Sequence, residues 1–173
     1  MISVAGVKEE EVVINYMRYP INYKEIKPKL KYYSEVVNVY NEAEKYLLSF
    51  DWCTNVKQSA LYTNLGEKFC IFLFEIDNSA SDEDSFLWVV AGDIPAMYLD
   101  IYGSKTTKEV VEGYVELAED WINHIRLNKS VDECYPFNAN PTLEIAELLE
   151  RRTSFMKDTL IKNIEDIPIS IPI

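Results

Sequence analysis

Histidine occurs once in this chain, at position 124, and glycine only five times in 173 residues. One imidazole confines any serine–histidine or cysteine–histidine chemistry to that single position. Neither a glycine-rich phosphate loop nor a G-x-S-x-G elbow is present, so the sequence points to no cofactor. The cysteines, Cys53, Cys70 and Cys134, are odd in number and widely spaced, which argues against a disulfide framework. No apolar run approaches the length that spans a bilayer. Residues 1–7 lack the basic start and apolar stretch of a signal peptide, and Glu9, Glu10 and Glu11 follow them. A cytoplasmic protein with no membrane partner is expected.

Positive charge is also scarce. Seventeen Lys and Arg face 29 Asp and Glu, for a net charge of −12 and a pI near 4.5. Such a field repels phosphate backbones, so nucleic acid is not an expected partner, whereas a basic protein is favoured. The imbalance is local. Residues 75–120 hold twelve acidic side chains against Lys105 and Lys108, while residues 18–31 hold five basic side chains and one acidic one, Glu25. That basic stretch interleaves tyrosines with lysines, a composition that suits base stacking, but the surrounding negative field argues against that use.

What the chain has in quantity is apolar and aromatic surface: 48% hydrophobic residues and 13% aromatic ones. That is enough for one domain of this length to bury roughly 70% of its unfolded surface. Val36, Tyr40, Ala43 and Leu47 recur on one face of a helix expected over 35–50, with Ser34 as its cap. Four strands follow, over 58–64, 68–76, 86–91 and 97–102. Their connections are too short for parallel crossovers, so neighbours must be antiparallel. The runs 69–74 and 86–90 are continuously apolar, as in strands covered on both faces. Met97, Leu99 and Ile101 alternate with Tyr98, Asp100 and Tyr102, as in a strand with one wetter face.

Thr106 and Glu109 form a capping-box pattern that opens a helix with Val110, Tyr114, Leu117, Trp121 and His124 on one stripe. Asn140-Pro141 signals another helix, expected to run to about residue 165 and to bury Ile145, Leu149, Met156 and Ile164. The tail 167–173 alternates isoleucine with proline or serine and reads as an extended arm or edge strand. The fold class is therefore α+β, an antiparallel meander of about four strands with helices on both faces.

Three functional readings follow. In the first, the chain is a non-enzymatic, acidic, protein-binding domain. Asp82, Glu83 and Asp84 in a strand loop and Glu112, Glu116 and Glu119 on a helix face would meet a basic partner. In size and charge the chain resembles acidic proteins that inhibit nucleases or toxins, immunity proteins among them, a resemblance that rests on no motif. In the second, a small hydrolase-like enzyme would use Asp93, Asp100 and His124. In the third, the isoleucine tail mediates self-association. The sequence offers no metal set. Loop 77–88 fails the calcium-loop pattern, with Asp82 where glycine is required and Trp88 where glutamate is required. Asp120 and His124 stand one helical turn apart, without a second ligand motif. The chain is expected to fold without metal.

Overall fold

A computed structural model describes residues 19–26 and 31–171. The strands are β1 (Ile21–Asn22), β2 (Cys53–Leu65), β3 (Phe69–Asn78), β4 (Phe86–Gly92) and β5 (Ile94–Asp100). They form one antiparallel sheet in sequence order. The expected four-strand meander is therefore present, with a fifth strand added at its edge. In that strand Ile21 lies opposite Leu61 and Asn22 opposite Ala60. Two residues are too few to show a period, so this strand left no trace in the pattern. β2 begins five residues before the expected 58, because its exposed Thr54, Asn55 and Lys57 mask the alternation. β5 begins at Ile94 and ends at Asp100 rather than Tyr102. It takes in Pro95, which an edge strand tolerates because no partner needs the missing N–H.

Both faces of the sheet are covered. Helix α1 (Lys31–Leu48) packs on one face, and α2 (Thr107–Arg126) and α3 (Leu143–Phe155) on the other. Register shows why two strands are continuously apolar. Leu61, Phe72 and Val89 form a row toward α1, while the next row, Leu73, Trp88 and Leu99, faces α2. Phe72, Phe74, Leu87, Trp88 and Val90 are all buried, as the sequence predicts for the centre of the core. The wetter face of β5 is the α1 side, where Tyr98 is half-buried between the fully covered Met97 and Leu99.

Helix starts differ in detail from the sequence signals. α1 opens at Lys31, so Ser34 lies within it instead of capping it. At α2 the Thr106 hydroxyl accepts from the Glu109 N–H at 3.3 Å. The Glu109 carboxylate accepts from the Lys105 N–H at 2.6 Å, one residue earlier than a capping box places it. Thr142 caps α3, accepting from the Ile145 N–H, so Pro141 precedes the cap. Beyond Phe155 the helical path continues through a wider π turn, Met156–Leu160, and ends at Asn163. Leu149 and Met156 are buried; Ile145 and Ile164 are partly so.

The tail lies along the start of α2. The Thr107 N–H donates to the Ile167 carbonyl and the Ile169 N–H to the Lys105 carbonyl. The Tyr62 hydroxyl bonds both the carbonyl and the N–H of Ser170. Ile167 and Ile169 thereby cover the chain's own core. Val12-Val13-Ile14, whose sequence suits a short strand or a helix turn, Arg18 and residues 27–30 of the basic tyrosine–lysine arm, and the last two tail residues lie outside the described residues. No helix among the described residues is long and apolar enough to cross a membrane.

Gly92 sits where β4 turns into β5, with φ +137, and an added Cβ would lie 2.4 Å from the Lys68 carbonyl oxygen. Overlap with backbone adds to conformational strain, so Gly92→Ala should cost about 3 kcal/mol, the upper end for a strained position. Urea melting checks this; an unchanged midpoint would show that the two hairpins do not close as described.

Candidate functional site

An antiparallel meander sends alternate connections to opposite ends of the sheet. The start of β2, the end of β3, the start of β4 and the end of β5 meet at one end. Trp52, Asn78 and Asp84, with Tyr98 and Asp100 from β5, come from these four places. Tyr102 from the following turn and Tyr135 from the α2–α3 connection complete the wall of a cavity of about 550 Å³. No lysine or arginine lines it.

The aromatic wall is held by contact. Trp52 stacks on Phe50 with ring centroids 5.0 Å apart and meets Tyr98 edge-on at 5.2 Å. Tyr98 in turn lies 5.3 Å from Tyr135. Behind them the Tyr46 hydroxyl accepts from the Tyr98 N–H and donates to the Pro136 carbonyl at 2.8 Å, tying α1 to the Tyr135 loop. On the outer side the exposed Tyr102 donates its hydroxyl hydrogen to the Glu83 carbonyl at 3.1 Å.

Two carboxylates supply the charge. Asp100 Oδ1 accepts from the N–H groups of Tyr102 and Gly103, at 2.8 and 2.6 Å. Among the described residues, neither Asp100 Oδ2 nor the Asp84 carboxylate has a hydrogen-bond or ion-pair partner. Both act on the phenols beside them. Burial, with Asp84, raises the Tyr98 pKa. Burial, with Tyr98, Asp100 and Asp84, pushes Tyr135 up to about 12. The phenols therefore stay neutral at physiological pH, and the pocket offers negative charge and π faces together.

Two of the residues proposed for an enzyme, Asp93 and Asp100, do not converge. Asp93 and Asp100 stand just before and at the end of the seven-residue β5, so roughly 20 Å of extended chain separates them. At the far end Arg152 holds Asp93, its Nη2 2.7 Å from Oδ2 and its Nε donating to the Asp93 carbonyl at 3.2 Å. A smaller cavity of about 260 Å³ there is lined by Lys68 and Arg152 against the single carboxylate of Asp93, so it offers no negative charge to a cation. His124 lies near the end of α2, its Nδ1 2.8 Å from the Asp120 carbonyl oxygen. It is partly buried, and Asp120 orients it through both groups, the carboxylate Oδ1 lying 3.6 Å from the same Nδ1.

The acidic residues divide. Asp82 and Glu83 are exposed in a short 3-10 turn, Asp82–Asp84, whose third member faces the pocket. Glu112 and Glu116 are exposed on α2. Glu119 instead pairs with Lys157 at 2.6 Å. Trp52, Tyr102 and Tyr135 are absent from the residues the sequence singles out for function. Tyr98 was visible only as part of the strand alternation. Among known proteins, no family model, no curated protein and no solved structure matches this chain.

Proposed function

We propose that this chain is a non-enzymatic binding domain that seats a cationic side chain of a basic partner protein in the pocket at the Asp100 end of the sheet. The observation that carries the reading is a cavity walled by Trp52, Tyr98, Tyr102 and Tyr135 that holds Asp84 and Asp100 and no counter-cation. A cation over an aromatic face gains about 0.5–2 kcal/mol, more as water is excluded. Arginine suits the site better than lysine, because its planar guanidinium stacks on rings and bonds a carboxylate in a fork. An inhibitor- or immunity-type role against a basic enzyme is one use of such a surface.

The acidic residues outside the pocket would act at longer range. Charges that stay solvated change encounter rates and salt dependence more than the lifetime of a complex. Reversal of Glu112 and Glu116 to lysine should slow association of an arginine-rich peptide about tenfold or more at low salt. Stability should shift by only about 0.5 kcal/mol per site. Stopped-flow association at low and high salt reads both effects. Equal rates for wild type and variant at low salt would remove the steering role and leave the pocket to stand alone.

A further inference from the structure

We infer that Asp120, His124 and Cys134 form a binding site for a divalent transition-metal ion of the zinc class, with a fourth position left to water. Their ligand atoms all lie within 4.8 Å of one another. Tetrahedral zinc needs sulfur at about 2.3 Å and nitrogen or oxygen at about 2.0–2.2 Å. Closing the trio onto one ion therefore takes side-chain shifts of the order of an ångström. The donors are a thiol, an imidazole and a carboxylate, a mixed set that suits zinc or cobalt over magnesium or calcium.

The fold builds this cluster by a specific device. Asp120 and His124 are one turn apart on α2, which ends in a Schellman motif. The Lys129 N–H donates to the His124 carbonyl at 2.7 Å and the Asn128 N–H to the Ile125 carbonyl at 3.0 Å. Asn128 supplies the left-handed residue at φ 54. The chain reverses there, and Cys134 returns to the last turns of the helix. The ring of His124 is positioned as a metal ligand requires. Its Nδ1 lies 2.8 Å from the Asp120 carbonyl oxygen and 3.6 Å from the Asp120 carboxylate, so Asp120 fixes the ring beside its own carboxyl group, as hydrogen-bond partners commonly fix ligating histidines. Binding replaces the Cys134 thiol proton, which passes to solvent, with a metal–sulfur bond. Oxidation states do not change.

The test uses the full chain stripped with chelator, then titrated with Co²⁺ as an optical probe and challenged with Zn²⁺. The expected result is a sulfur-to-cobalt charge-transfer band that saturates at one equivalent and is displaced by Zn²⁺. Cys134→Ser should abolish the band, and His124→Ala should weaken binding at least about tenfold, since even outer-shell losses cost that much. Both variants should keep the wild-type circular dichroism spectrum, because Cys134 and His124 are only partly buried. Absence of the band, or a band that persists in Cys134→Ser, would overturn the site. This outcome is independent of the pocket, which shares none of these residues.

Discussion

Trp88→Ala should lower stability by about 3–5 kcal/mol, the range for removing a fully buried aromatic side chain. Trp88 is 0% exposed and sits between Leu73 and Leu99 in the row facing α2. It packs edge-on against Tyr62 at 4.8 Å. Its indole N–H donates to the Ser104 carbonyl at 2.8 Å. The substitution thus opens a cavity and strands a buried carbonyl, two penalties that add. Trp88→Phe keeps most of the volume and should cost about 1–3 kcal/mol, mainly for the lost hydrogen bond. Urea unfolding separates the two variants, and a loss under about 1 kcal/mol for alanine would mean that β4 is not covered on both faces. The effect also reaches function. Ser104 closes the turn that carries Asp100 and Tyr102, so a loosened Trp88 should weaken the pocket even where the protein stays folded.

The second large effect concerns the pocket. Asp84→Asn with Asp100→Asn removes both charges while keeping the shape, and should weaken an arginine-containing peptide about 10–100-fold. Charge-assisted bonds contribute about 1.5–3 kcal/mol each, and part of that survives as neutral bonding. Trp52→Ala should cost about 0.5–2 kcal/mol of binding through the lost π face. These side chains are half-exposed or at the rim, so melting midpoints should move little. Calorimetry with the peptide reads the affinities. Retention of wild-type affinity in the double variant would place the binding elsewhere on the acidic surface.

Much of the scaffold was legible in the sequence because it rests on local periodicity. The stripes on α1 and α2 and the dry runs of β3 and β4 each reflect burial repeated along one element. The pocket was not legible, because its walls come from four connections that only the meander brings together. Trp52 reads as the residue that ends a helix, and Tyr135 lies in a stretch with no period. The nearest signal was the alternation of Tyr98, Asp100 and Tyr102, which marked a wetter face without saying what it faced. Asp93 and Asp100 are the same residue type yet stand apart in space, because β5 carries them to opposite ends. Cys134 escaped notice for a different reason: ten residues separate it from His124, and a left-handed Asn128 closes that distance.

Whether the pocket receives a cation is read by titrating the protein with N-acetyl-arginine amide and with its neutral isostere N-acetyl-citrulline amide. The two differ in charge and hardly in shape. Trp52 is the half-exposed indole of the three, since Trp88 and Trp121 are 0% and 2% exposed, so its N–H resonance reports the pocket. One side chain should bind with a Kd of about a millimolar, worth about 4 kcal/mol. Saturable shifts of the Trp52 indole and of the Tyr98 and Tyr135 rings are expected with arginine, and none with citrulline at the same concentrations. Equal shifts with both compounds, or shifts that leave Trp52 untouched, would contradict cation binding there.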